Sequence, residues 1–245
     1  MRKRRQYSAT GLYHVVIRGV NKQNIFFDDE DRNFFISLLK RYSLKFNIKI
    51  HAYCLMDNHV HLQFEDENRN ISIFMQALCS LYARTFNRKY DRIGHLFQER
   101  YASEIILDKS YFLTVFRYII QNPKRAGIAL ASEYCWSSIS QYRKSQSFVE
   151  KGLLLEYLGS PEKLLEYIES DCKSECLEIE LRPSEREKSY IDKVKEILET
   201  DNPIVPPDIS MNLIKCKMRK LREAGLSIRT ISRITGISKY VIQCS

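Results

Sequence analysis

The sequence predicts an α+β fold: an antiparallel sheet of the ferredoxin-like, split βαβ kind with its helices on one face, followed by a helical C-terminal extension with a helix-turn-helix. Short β-branched runs alternate with longer amphipathic segments, and two of the runs are separated by a tight turn. The resulting order is β-α-β-β-α-β followed by a further helix. A chain of 245 residues suits one large domain with an appendage.

The first three strands and the first helix follow one another from residue 12. Leu12–Arg18 is rich in β-branched residues and bounded by glycines, which predicts a strand. The acidic residues 28–31 favour a helix start, and apolar residues recur at helical spacing over 34–42. Residues 48–56 and His59–Glu65 are two further strands separated by an Asp-Asn turn, so we predict a hairpin.

The second half of the unit contains a helix, an extended segment and a last helix. Ile71–Lys89 is amphipathic, which predicts a helix, and residues 96–107 are predicted to be extended with a bend. A helix over 111–121 is predicted to stop after Asn122, because Pro123 follows it. The sheet face away from the first two helices would be open to nucleic acid, as in RNA-recognition modules.

Charge divides the chain into three segments. Residues 1–145 carry 23 basic and 13 acidic residues, a net charge of +10, residues 146–210 have −8, and residues 211–245 have +7. We predict a main domain, an acidic and mostly helical connector, and a basic tail. Two basic segments around an acidic one indicate two nucleic-acid-facing surfaces rather than solvated faces alone.

The basic tail has a helix-turn-helix pattern. Ser227 and Ser238 are N-cap residues for two short helices, and Gly236 makes the turn between them. Two helices that only pack against the protein would have the same cap and turn residues, but the charge of this segment favours DNA as its partner. A proline-marked linker over 202–207 precedes the tail.

Composition excludes several classes of protein. No apolar run approaches the ~18 residues that span a bilayer, and the basic start is not followed by the apolar core of a signal peptide. The seven cysteines are scattered and form no C-x-x-C pair, which argues against a disulfide framework or a zinc knuckle. Cys172 and Cys176 are interpreted as incidental helix residues. We predict a soluble cytoplasmic protein with no membrane partner.

His59 and His61 are the first candidate metal ligands. Alternate positions of a strand project to one face, so both imidazoles point the same way. Two imidazoles on a rigid strand can bind a divalent metal. An isolated H-x-H pattern, however, is more often a pair of polar residues on a solvated face.

Tyr118 and Asn122 form the second half of the candidate site, because residues four apart are neighbours on a helix. Asn122 would be a third, hard ligand for the metal, which would polarise a scissile phosphate. Tyr118 would attack phosphorus and form a covalent phosphotyrosine. Tyr111 is the rival nucleophile, but Val115 stands one turn after it, where a ligand would be needed.

Five segments carry a family resemblance. They are YHVVIRG (13–19), AYCLMDNHVHL (52–62), GHLFQERYASE (94–104), RYIIQNPKRAG (117–127) and YCWSSISQY (134–142). In this order they resemble the single-tyrosine HUH transposases, which have an IS200-like transposase domain, and most closely the REP-associated tyrosine transposases. The resemblance covers about residues 7–143.

The resemblance implies a ferredoxin-like fold, Mg²⁺ or Mn²⁺ dependence and cutting of single-stranded DNA near hairpins. It also implies a covalent 5′-phosphotyrosine with a free 3′-hydroxyl that can rejoin. The family's HUH pair falls on His59 and His61, its nucleophile on Tyr118, and its third ligand on Asn122, where insertion-sequence relatives carry Gln. Dimers are usual among those relatives, so a second copy of the chain is an expected partner beside hairpin DNA.

Nine basic residues are predicted to contact DNA phosphates. They are Arg84, Arg88, Lys89, Arg100, Lys124, Arg125, Arg229, Arg233 and Lys239. The isolated histidines are interpreted as structural, although His14 could reach DNA from the first strand.

Two functions of different class fit the sequence. One is a metal-dependent DNA transposase or strand transferase, and the other is a non-catalytic DNA-binding regulator derived from it. The intact set of His59, His61, Tyr118 and Asn122 favours the enzyme. Nicking of the replication-initiator or relaxase type would use the same chemistry.

Overall fold

The computed structural model of the chain describes residues 7–160, 163–170, 185–200 and 210–244. Cys172, Cys176 and the predicted linker over 202–207 lie outside these ranges. The side chains of Arg229 and Arg233 are likewise outside the description.

Four antiparallel strands form one sheet, and two helices connect them. The elements are β1 (Leu12–Arg18), α1 (Asp29–Phe46), β2 (Lys49–Met56), β3 (His59–Glu65), α2 (Ile71–Lys89) and β4 (Ala102–Ile105). The strand order in the sheet is β2-β3-β1-β4, which is the arrangement of the split βαβ unit. The α+β fold with a split βαβ sheet, predicted from the sequence, is therefore confirmed.

The hairpin between β2 and β3 sets the register of the sheet centre. Met56 pairs with His59 across a two-residue turn, as predicted. On the other side of β3, Val16 of β1 pairs with His61. The fourth strand is shorter than the predicted extended segment, because only Ala102–Ile105 joins the ladder with β1 and a single bridge links Phe97 to Gly19.

Helices α1 and α2 cover one face of the sheet and enclose an apolar core. The side chain of Asp28 caps α1 by accepting a hydrogen bond from the backbone N–H of Asp31 at 2.9 Å. Apolar side chains from alternate strand positions pack beneath the two helices, and the fully buried ones include Val15, Ile17, Leu55, Val60, Leu62, Phe64, Phe35, Leu39, Phe74 and Leu78.

The opposite face of the sheet is not open, in contrast to the expectation from the sequence. Helix α3 (Lys109–Arg125) lies on it and packs against the remaining strand positions. Its apolar residues Phe112, Val115, Phe116 and Ile119 share a core with Ala52, Cys54 and Met56. Nucleic acid therefore cannot lie flat on this face without moving α3.

Helix α3 also runs further than predicted. Pro123 lies inside its last turn rather than ending it, and the helix continues to Arg125. The missing N–H of a proline removes one hydrogen bond, but the following turn closes regularly, with the N–H of Ala126 donating to the carbonyl of Asn122 at 3.0 Å. The predicted stop after Asn122 was wrong for this reason.

The remaining described helices form two groups. Three short ones, α4 (Ile139–Tyr142), α5 (Gly152–Leu158) and α6 (Lys163–Glu169), pack on the core under α3. Four others, α7 (Glu185–Leu198), α8 (Met211–Glu223), α9 (Ile228–Thr235) and α10 (Lys239–Gln243), share a small core of their own. The described part of the acidic connector is thus divided between the sheet domain and the tail.

The caps predicted in the tail are present. Ser227 accepts a hydrogen bond from the N–H of Thr230, and Ser238 accepts one from the N–H of Val241. Gly236 has a φ of +75°, which ends α9 in the left-handed conformation that favours glycine. Among the described helices, none is long and apolar enough to cross a membrane.

Candidate metal and nucleophile site

The two histidines of β3 lie on the face covered by α3. Their ring centroids are 4.9 Å apart, as expected for alternate positions on one strand. His61 is buried, with 3% of its surface exposed, whereas His59 at the strand start is half-buried. The pair therefore has one ring inside the protein and one at its edge.

Helix α3 brings Tyr118 against the ring of His61. The centroid of the Tyr118 ring is 5.5 Å from that of His61. The guanidinium carbon of Arg125, two turns later, lies 4.7 Å from the centre of the same ring. A phenol, two imidazoles and a cation thus meet at one place, although the phenol ring is almost fully buried.

Asn122 stands one turn after Tyr118 and is half-buried. Its side-chain N–H donates to the carbonyl oxygen of Tyr118 at 3.0 Å, which leaves Oδ1 as the atom that could act as a ligand. Among the described residues, no three His, Cys, Asp or Glu side chains are grouped to hold a metal ion. A three-ligand site here would need the carboxamide.

His14 lies at the candidate site, in a contact that the sequence did not reveal. It is fully buried, so it cannot reach DNA as the sequence had suggested. Its Nε2 lies 3.1 Å from Nδ1 of His61. The contact arises because His14 and His61 are on the same sheet face, two residues apart diagonally in the β1–β3 ladder.

Burial keeps the imidazoles of His61 and His14 neutral. Burial lowers the pKa of His61 well below its ordinary value. Electrostatic interaction with His59 and His14, and with the guanidinium groups of Arg18 and Arg125, lowers it further. Burial also lowers the pKa of His14, partly offset by the carboxylate of Glu104. A neutral imidazole is the form that binds a metal.

Arg18 is a second site residue that the sequence analysis missed. It pairs with His59 in the β1–β3 ladder and is half-buried at the end of β1. Its charge acts on His61 together with that of Arg125. The alternating pattern of β1 could have indicated it, because Arg18 shares a face with His14.

The basic residues predicted to contact DNA lie in different places. Arg84 and Arg88 are exposed on α2, across the sheet from the histidines, and Arg100 is exposed in the loop before β4. Lys124 and Arg125 are exposed on the last turn of α3, near Tyr118, with Lys124 3.5 Å from a carboxylate oxygen of Glu169. Lys239 is exposed at the start of α10.

Lys89, also predicted to contact DNA, is paired with three carboxylates. Its ammonium lies 2.6 Å from Asp28, 3.1 Å from Glu30 and 3.1 Å from Asp31, where it joins α2 to the start of α1. These hydrogen-bonded carboxylates raise its pKa, against the effect of burial. A phosphate would have to displace them, and the DNA contact of Lys89 stays a prediction.

Comparison with known proteins points to one family. Residues 8–122 match the family model described as transposase IS200 like. This segment contains both histidines of β3, Tyr118 and Asn122. The resemblance predicted from the sequence motifs is confirmed for this segment. No curated protein matches the chain.

Two solved structures are similar to this chain. A REP-associated tyrosine transposase bound to a REP hairpin is 15% identical, with a TM-score of 0.50, over 62% of this chain and 92% of its own. A candidate transposase from Deinococcus radiodurans R1 is 20% identical, with a TM-score of 0.36, over 53% of this chain and 99% of its own. The first of them supports the fold.

Proposed function

We propose that this chain, whose residues 8–122 form an IS200-like transposase domain, is a metal-dependent transposase that cuts and rejoins single-stranded DNA through Tyr118. The observation that carries the proposal is the position of the phenol. The ring centroid of Tyr118 is 5.5 Å from that of His61, and the ring centroid of His61 is 4.9 Å from that of His59. A nucleophile beside paired imidazoles is what phosphoryl transfer to tyrosine needs.

The residues at the site fit a divalent ion, Mg²⁺ or Mn²⁺. His59, His61 and Asn122 would hold it, with two imidazole nitrogens and one amide oxygen as donors. When bound, such an ion polarises the scissile phosphate and stabilises charge on the leaving oxygen. The burial of His61 keeps its imidazole neutral and able to bind.

Tyr118 would carry the covalent step. Its oxygen forms a bond to phosphorus as the bond from phosphorus to the 3′ oxygen of the neighbouring nucleotide breaks, and the phenol proton passes to solvent. The 3′ oxygen leaves and becomes a hydroxyl, and its later attack on the phosphotyrosine restores a DNA strand. Because the bond energy is stored, rejoining needs no ATP. Arg125, beside the phenol ring, would stabilise the negative charge of the phosphate.

Hairpin-forming single-stranded DNA is the substrate that we propose. The similar REP-associated transposase is bound to a REP hairpin, and the exposed Lys124 and Arg125 flank Tyr118 where a DNA backbone would approach. We propose that the reaction takes place in the cytoplasm, where such DNA would be available. We also propose a homodimer, because dimers are usual among the insertion-sequence relatives.

The test is a covalent adduct on denaturing gels. The chain is incubated with Mn²⁺ and end-labelled hairpin DNA from the flanks of its own gene. The unmodified protein should give a metal-dependent adduct that Tyr118→Phe abolishes, because the variant keeps the ring and loses the oxygen. His59→Ala should also abolish the adduct while the protein stays folded.

Tyr111→Phe is the matched control on the same helix, and it should leave the adduct unchanged. An adduct that survives in Tyr118→Phe and disappears in Tyr111→Phe would mean that the other tyrosine is the nucleophile. DNA binding without any adduct in the unmodified protein would favour the alternative, a non-catalytic regulator.

We further propose that the tail helices bind DNA beside the catalytic domain. The charge of +7 over residues 211–245 supports this. Deletion should begin at residue 185 rather than 211, because Val194 and Leu198 of α7 share the core of the tail. The truncated protein should still form the adduct on an optimal hairpin, with weaker binding and a smaller salt dependence. Unchanged affinity and site choice would contradict the tail's role.

A further inference from the structure

Both histidines of the proposed metal site have an Nδ1 partner within the protein. Nδ1 of His59 lies 2.6 Å from Oδ1 of Asn58. The amide of Asn58 is itself oriented, because its Nδ2 donates to the carbonyl of Lys22 at 3.2 Å. A carboxamide oxygen can only accept a hydrogen bond, so the His59 ring must carry its proton on Nδ1.

The partner of His61 is another imidazole, which by itself would leave the proton undecided. Nε2 of His14 and Nδ1 of His61 are 3.1 Å apart, and either nitrogen could be the donor. Both rings are buried and these two nitrogens face each other at hydrogen-bond distance, so one of them donates and the other accepts. A further group must decide which ring donates.

Glu104 is that group. The β1–β4 ladder pairs it directly with His14, and its Oε2 lies 3.7 Å from Nδ1 of His14. Within the part of the chain that the structure describes, this buried Nδ1 forms no hydrogen bond. A carboxylate at this distance attracts the imidazole proton to Nδ1. Nε2 of His14 then keeps its lone pair and accepts from Nδ1–H of His61.

We propose that His14 and Glu104 are positioning residues that fix His61 in its Nδ1–H form, so that the lone pair on Nε2 is the one offered to the metal. Asn58 does the same for His59. The inference rests on the metal site of the proposed function, and neither His14 nor Glu104 binds the metal or DNA in it. Groups that orient metal-binding histidines in this way typically change affinity by about 10-fold to 100-fold when removed.

The first measurement is the tautomer itself, in the metal-free protein. Two-bond ¹⁵N–¹H correlation spectra of the imidazoles separate Nδ1–H from Nε2–H rings. His59 and His61 should both be Nδ1–H, and His14 should be Nδ1–H as well. A proton on Nε2 of His61 would overturn the inference whatever the metal does.

The second measurement is the affinity of the protein for Mn²⁺ in the absence of DNA, determined by electron paramagnetic resonance. His14→Phe removes the acceptor and should weaken binding by about 10-fold to 100-fold. His14→Gln places an amide oxygen near the position of Nε2 and should restore binding to within a few fold. Glu104→Gln, at the half-exposed edge of the sheet, should keep the fold, weaken binding by less than His14→Phe does and give a second set of His61 signals.

The controls separate this inference from the proposed function. If His59→Ala loses Mn²⁺ while His14→Phe and Glu104→Gln bind it as tightly as the unmodified protein, the metal site stands and the positioning role is wrong. If His59→Ala binds Mn²⁺ as well as the unmodified protein, the metal site fails, and the tautomer spectra still decide the state of His61. Should His14→Phe not fold, the spectra and affinity of Glu104→Gln decide the matter alone.

Discussion

The two faces of the four-stranded sheet are both buried, but they are built from different kinds of residue. Beneath α1 and α2, the alternate positions of β1 and β3 are Tyr13, Val15, Ile17, Val60, Leu62 and Phe64. Beneath α3, several of the intervening positions are polar, namely His14, Arg18, His59, His61, Gln63 and Glu65. The same two strands therefore supply a packed apolar core on one side and the residues of the candidate site on the other.

The polar face is tolerable because several of its buried groups are paired. His14 contacts His61, and the side-chain amide of Gln63 donates to the carbonyl of Phe112 on α3 at 3.0 Å. A buried polar group without a partner costs about 1–3 kcal/mol, so α3 both covers the face and satisfies part of it. The comparison teaches that alternation of polar and apolar residues does not always mean a solvated face.

The largest expected difference between the faces is in stability. Phe64 is fully buried, with ring centroids 6.0 Å from Tyr13 and 5.5 Å from Phe74. Phe64→Ala leaves a cavity in the apolar core and should lower the free energy of unfolding by about 3–5 kcal/mol, measured by urea denaturation. At temperatures where it stays folded, the variant should still form the DNA adduct.

His61→Ala is the matched change on the opposite face. It should abolish the adduct and lower the free energy of unfolding by less, about 1–3 kcal/mol. The change removes a smaller ring and leaves the buried His14 without its hydrogen-bond partner. If His61→Ala destabilises the protein as much as Phe64→Ala, the polar face contributes as much to stability as the apolar face, and the distinction between them does not hold.

Much of the fold was predictable because its signals are local. The bounds of β1, β3 and α2 agree with the sequence pattern, since glycines, a tight turn and a clear apolar period mark them. The short length of β4 was not predictable, because this strand pairs with β1, almost ninety residues away. The end of α3 was missed because the proline rule ignores the packing that carries the helix one turn further.

The candidate site was predictable in part. Strand alternation placed His59 and His61 on one face, and helical spacing placed Asn122 beside Tyr118. The contact of His14 with His61 was not predictable, because it depends on the register between β1 and β3, which no local pattern gives. The ion pairs of Lys89 were not predictable either, because its carboxylate partners come from the start of a different helix.

The smallest effect that we predict concerns acid. Glu65 ends β3 on the polar face, with Oε2 3.8 Å from Nε2 of His51 and 3.4 Å from the ammonium of Lys49. The interaction with His51, and then the charge of Lys49, lower the pKa of this carboxyl to about 2, against the effect of burial. Because the folded pKa lies below the unfolded one, the stabilisation is complete above about pH 4.5 and disappears as the pH falls towards about 2.

Glu65→Gln should therefore be less stable than the unmodified protein at neutral pH, by about 1 kcal/mol once solvent screening is allowed for. The difference should shrink as the pH falls from about 4.5 to about 2, because the unmodified carboxyl then takes up its proton. Urea denaturation of both proteins across this range measures the difference directly and cancels the other carboxylates. Lys49→Met removes one cation and keeps the carboxylate. In this background, the stability difference between Glu65 and Gln at position 65 should be smaller. A gap that stays constant with pH would show that Glu65 contributes through packing, and that charge on the polar face does not make the fold sensitive to acid.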